Sequence, residues 1–92
     1  MKKMYKITSP EGIHARPAAL LVSAVTPFQN DIKLTYKEKS VNLKSIMGVM
    51  SLGVKPESVV EISAEGPDVA TLFQTVTEVM LSNAIGEEWQ EE

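Results

Sequence analysis

Apolar and polar positions alternate along some stretches of this chain and recur with helical spacing along others, and the two periods divide it into seven elements. From Lys3 to Thr8, Tyr5 and Ile7 alternate with Lys6 and Thr8, which predicts a strand. Ser9-Pro10-Glu11-Gly12 breaks it. From Ala15 the period changes: Ala18, Leu21, Val22 and Val25 form one apolar stripe of a helix that Pro27 ends or kinks. Asp31 to Tyr36 alternates again, with Ile32, Leu34 and Tyr36 on one face. The turn Lys37-Glu38-Lys39 leads into a short partner strand holding Val41 and Leu43, and so short a connection implies antiparallel pairing.

Ser45 to Leu52 reads as a two-turn helix stopped by Gly53 and Pro56. Val59 to Ala64 is a fourth strand, with Val60, Ile62 and Ala64 on one side. After the turn at Gly66-Pro67-Asp68, Val69, Leu72, Phe73, Val76 and Met80 mark a last helix ending near Gly86. The order is βαββαβα. Each strand has one apolar face, so helices should cover one side of the sheet. The expected fold is α+β: an open-faced two-layer sandwich of a four-stranded antiparallel sheet and three helices. Residues 1–86 form its single domain, and the acidic tail EEWQEE at 87–92 reads as frayed, with Trp89 loosely docked or exposed.

Composition removes several classes of function. Ninety-two residues with 43% hydrophobic content and no cysteine exclude a disulfide framework and thiolate metal sites. A net charge of −3 argues against direct nucleic-acid binding as the main task. Lys37, Lys39 and Lys44 form at most a local basic spot, better read as lysines on a solvated turn and strand. No apolar run suits a signal peptide or a membrane span, which leads to the expectation of a cytoplasmic protein.

The single histidine stands in EGIHARPAALL, just ahead of the first helical stripe. A helix start offers N–H groups without intrahelical partners and the positive end of the dipole, so an anion is favoured there. Pro17 suits the first turn, and Arg16 brings a guanidinium fork that fits phosphate oxygens. An ordinary imidazole, with a pKa of about 6.5, is mostly neutral near pH 7 and available as a nucleophile. These features describe an anion site with His14 as a nucleophile inside it, yet spacing alone serves a simple helix cap equally well. One histidine without cysteine is too few ligands for a metal, and no cofactor motif is present. A hydrolase triad lacks both a second histidine and a G-x-S-x-G elbow.

A second segment, NLKSIMGVMSLG at 42–53, places Ser45 at a helix N-cap and behind it a helix more apolar than two turns can bury. Val49 and Leu52 suit the core, whereas Ile46, Met47 and Met50 gather on another face as a candidate partner-binding patch. Any one of these methionines alone would pass for an ordinary core residue.

GIHARPA at 12–18 and VNLKSIMGVMSLG at 41–53 together resemble the HPr family, the histidine phosphocarriers of the bacterial phosphoenolpyruvate-dependent sugar phosphotransferase system, and the resemblance runs to about Gly86. It implies a carrier, not an enzyme with a small-molecule reaction of its own. His14 would take a phosphoryl group at Nδ1 from phospho-enzyme I and pass it to sugar-specific IIA components, with Arg16 at the phosphate and Pro17 in the helix start. Ser45 would match the serine modified by HPr kinase/phosphorylase. That modification is expected to oppose enzyme I and to favour a catabolite-control transcription regulator. The alternatives are a regulatory module working through Ser45 phosphate, or a nitrogen-branch carrier. Ala19 departs from the family's usual Thr or Ser, and Pro27 and the tail from Glu87 are also unusual. No spare hydrophobic face beyond the methionine patch is evident, so a monomer is expected.

Overall fold

A computed structural model describes residues 1–90. The helix and strand positions follow the hydrophobic pattern closely. The elements are β1 (Lys2–Ile7), α1 (Ala15–Val25), β2 (Ile32–Tyr36), β3 (Lys39–Asn42), α2 (Ile46–Ser51), β4 (Val59–Ala64), α3 (Val69–Ser82) and β5 (Gly86–Trp89). All strand pairs are antiparallel, in the order β3-β2-β4-β1-β5. Tyr5, Ile7, Ile32, Leu34, Tyr36, Val60, Ile62 and Ala64 are buried in one core with the helix stripe Ala18, Leu21, Val22 and Val25 and with Leu72, Phe73, Val76 and Met80. Period-two alternation thus becomes one apolar sheet face, and the helices supply the other layer. Among the described residues no helix is long and apolar enough to cross a membrane.

The sheet has five strands where the sequence pattern gives four. Glu87 to Trp89 belong to β5, which pairs with β1 in the register Met4–Trp89, Tyr5–Glu88, Lys6–Glu87 and Ile7–Gly86. The frayed tail expected at 87–92 is therefore corrected for Glu87–Trp89, while residues 91–92 lie outside the described residues. The physical reason is a long-range one: the segment adds to the open edge of β1 by backbone pairing, with side-chain contacts across the two strands. Lys3 Nζ lies 2.9 Å from Glu88 Oε1, and this hydrogen bond holds the Lys3 ammonium above its ordinary pKa. Lys6 Nζ stands 5.3 Å from the centroid of the Trp89 ring, which docks the indole on the open sheet face. A segment that looks like a solvated tail in isolation thus pairs with β1 along its backbone, and Glu88 and Trp89 find basic partners there.

Other boundaries move by little. Leu43 falls just beyond β3 but remains buried, its N–H donating to the Ile32 carbonyl. α1 ends at Val25, before Pro27, and α3 ends at Ser82, four residues short of Gly86. Gly12 is the glycine that positions the site. Its φ is +70°, and an added Cβ would overlap the Val54 carbonyl oxygen, to which Ile13 N–H donates at 3.1 Å. The loop before α1 is thereby pinned against the segment that follows α2.

Candidate functional site

His14 is the N-cap of α1, with extended backbone (φ −95°, ψ −164°) and no hydrogen bond from its side chain to the helix. Its ring is therefore not spent on capping. The His14 carbonyl accepts from Ala18 N–H at 3.0 Å, which starts the helix ladder. Among the described residues nothing accepts from the N–H groups of Ala15 and Arg16. Pro17 has no N–H to leave unpaired, and it is buried against the core. The first turn carries no acidic side chain to neutralise the helix dipole. The start of α1 therefore brings two donors without acceptors among the described residues, and the partial positive charge of the helix end, next to His14 in the chain.

A cleft of about 410 Å³ is lined in part by Glu11, His14, Arg16 and Pro17. His14, Arg16 and Pro17, expected around the start of α1, thus line one cleft. The opposite wall is made by Asn83, Ala84 and Ile85, which follow α3. These were not legible as site residues, because only the packing of α3 on α1 brings them there. Ala84 adopts φ +53°, and the Ile85 carbonyl accepts from the N–H groups of Thr8 and Ser9. The turn after α3 is thereby tied to the loop that precedes His14. Glu11 is the other residue that motif reasoning passed over. Its Oε1 lies 3.5 Å from His14 Nε2, across the tight turn at Gly12. The only available signal was a carboxylate three residues before the histidine.

Ser45 stands at the N-cap of α2, outside the His14 cleft. Its Oγ accepts from Gly48 N–H at 3.0 Å, and its carbonyl accepts from Val49 N–H. Asn42 Oδ1 accepts from Lys44 N–H just before the cap. Behind Ser45, Val49 is buried and Leu52 half-buried, whereas Ile46, Met47 and Met50 are 41%, 81% and 44% exposed. Their exposure agrees with the amphipathic reading of this short helix, which sets its apolar residues partly on the surface.

The family described as the PTS HPr component phosphorylation site matches residues 1–82 of the chain. The fold is also that of solved phosphocarriers. The histidine-containing phosphocarrier protein of Mycoplasma superposes with a TM-score of 0.90 at 35% identity, covering 94% of this chain and 98% of that one. HPr-C-His from Thermoanaerobacter tengcongensis gives 0.85 at 39% identity, covering 91% and 94%. The phosphocarrier protein HPr of Bacillus anthracis gives 0.79 at 35% identity, covering 86% and 94%.

Proposed function

The chain belongs to the HPr family and is a phosphocarrier of the phosphotransferase system, not a catalytic enzyme; from that premise we propose that His14 is the atom-bearing residue of the carrier. The Nδ1 lone pair attacks the phosphorus of phospho-enzyme I. An N–P bond forms, the bond from phosphorus to the donor breaks, and its electron pair leaves with the donor. The free N–H groups of Ala15 and Arg16 and the Arg16 guanidinium receive the phosphoryl oxygens, and Pro17 fixes the first turn around them. The phosphoryl group then passes to a sugar-specific IIA component. No cofactor takes part, and the exchange belongs to the cytoplasm.

The observation that carries this reading is the uncapped start of α1: the His14 ring and the Arg16 side chain line one cleft, and the Ala15 and Arg16 N–H groups have no acceptor among the described residues. Ile46, Met47 and Met50 form the surface on which a monomer docks successive partners. Ser45, at the edge of that surface, is the regulatory position for HPr kinase/phosphorylase. A phosphate there retains an acceptor for Gly48 N–H but adds about two negative charges beside the apolar patch. It therefore weakens enzyme I docking and suits a basic surface on a transcription regulator instead.

The test is incubation with phosphoenolpyruvate and enzyme I, followed by intact mass at neutral pH. One acid-labile phosphate is expected on the wild type and none on His14→Ala. Undiminished charging of His14→Ala would refute the assignment.

A further inference from the structure

Phosphoryl transfer to an imidazole raises a question that the helix start does not answer: where the ring's own proton resides. When a neutral ring attacks through Nδ1, it keeps its proton on Nε2 and becomes a cation as the N–P bond forms. Loss of that proton leaves a neutral phosphoimidazole, whose nitrogen is a much poorer leaving group. A carrier that must release its cargo gains from a group that holds the Nε2 proton in place.

Glu11 Oε1 is 3.5 Å from His14 Nε2, on the side of the ring away from Nδ1. The contact is set by the backbone. Gly12 at φ +70° folds the loop back, Gly12 N–H donates to the Ser9 carbonyl, and Ile13 N–H donates to Val54. Among the described residues, the acidic and basic side chains lining this cleft with the His14 ring are Glu11 and Arg16. The wall after α3 contributes Asn83, Ala84 and Ile85, and the loop before His14 contributes Ser9 and Pro10, all uncharged. Glu11 therefore provides the negative charge lining the cleft, and it faces the nitrogen that must stay protonated.

We propose that Glu11 is a positioning residue for the carrier reaction, acting through the His14 ring. Its carboxylate orients Nε2–H, which leaves Nδ1 as the nucleophile, and it stabilises the phosphoimidazolium that forms. In the forward step Nδ1 bonds to phosphorus and the donor departs with its electron pair. In the discharge step the acceptor attacks phosphorus, the N–P electrons return to Nδ1, and Nε2 keeps its proton throughout. The inference rests on the phosphocarrier reading above.

The experiment uses the full chain charged by enzyme I and phosphoenolpyruvate, with discharge measured from pH 6 to 9 on return to unphosphorylated enzyme I with pyruvate. Nitrogen-15 NMR of the charged ring identifies the phosphorylated nitrogen. Glu11→Gln should discharge more slowly than wild type by a factor that widens from less than twofold at pH 6 to about two- to fivefold above pH 8, because the charge acts only where the ring proton is at risk and water screens so exposed a pair. Glu11→Asp should restore most of the profile. The Glu11 side chain is 77% exposed, so none of these variants threatens the fold. Parallel wild-type and Glu11→Gln profiles, or phosphorus found on Nε2, would overturn the role of Glu11 while leaving His14 as the carrier. A wild type that takes no phosphate at all would overturn the phosphocarrier reading, and this inference with it.

Discussion

Two helix starts in this protein solve the same problem in opposite ways. At α2, Ser45 Oγ accepts from Gly48 N–H, so the first turn is closed by its own side chain. At α1, His14 makes no such bond, and the N–H groups of Ala15 and Arg16 have no acceptor among the described residues. A closed start lowers the free energy of the free protein by satisfying its own donors. An open start leaves that stabilisation to be gained when an oxyanion arrives. On the proposed function, the difference separates the position that would carry a phosphoryl group from one where a phosphate would act as a signal. At Ser45 an acceptor already serves the turn, so added phosphate changes the surface charge more than the backbone.

Disturbing the loop that holds the open start has the largest expected effect. Gly12→Ala would place a methyl group onto the Val54 carbonyl and force alanine to a φ of +70°. A loss of roughly 3 kcal/mol or more is expected in urea unfolding, from overlap and backbone strain together. A variant as stable as wild type would show that this pinning is not what positions His14. Next comes the charge at the closed start. Ser45→Asp should slow phosphoryl uptake from enzyme I by roughly tenfold through docking, seen as a raised KM with little change in kcat. An unchanged KM would remove the electrostatic account of the Met47 and Met50 patch. The mildest change takes away only the cap: Ser45→Ala should cost about 1 kcal/mol of stability while leaving His14 chargeable. Loss of charging in that variant would mean that the two helix starts are not separable.

Much of the fold and part of the site could be read along the chain. Every strand with a buried face alternates strictly, and β4 runs over the residues its pattern indicates, Val59–Ala64. His14 and Ser45 were legible as helix entrances because each precedes a change from polar to apolar periodicity. The exposure of Met47 followed from counting more apolar residues than two turns can bury. What escaped depends on contacts between distant segments. β5 has no period-two apolar signal, since its residues beyond Gly86 are exposed and it is held by backbone pairing to β1, with Lys3 on Glu88 and Lys6 over Trp89. Asn83, Ala84 and Ile85 join the cleft through the packing of α3 on α1. Glu11 reaches His14 only because Gly12 reverses the chain between them.

The central claim is that the open start of α1 receives the phosphoryl group. Backbone amide NMR of the uncharged and charged protein tests it most directly. Ala15 and Arg16 N–H resonances should move strongly downfield on charging, as donors gaining an anionic acceptor, while Gly48 N–H at the closed start should shift little. Amides of Ala15 and Arg16 that stay in place when His14 carries phosphate would contradict the account.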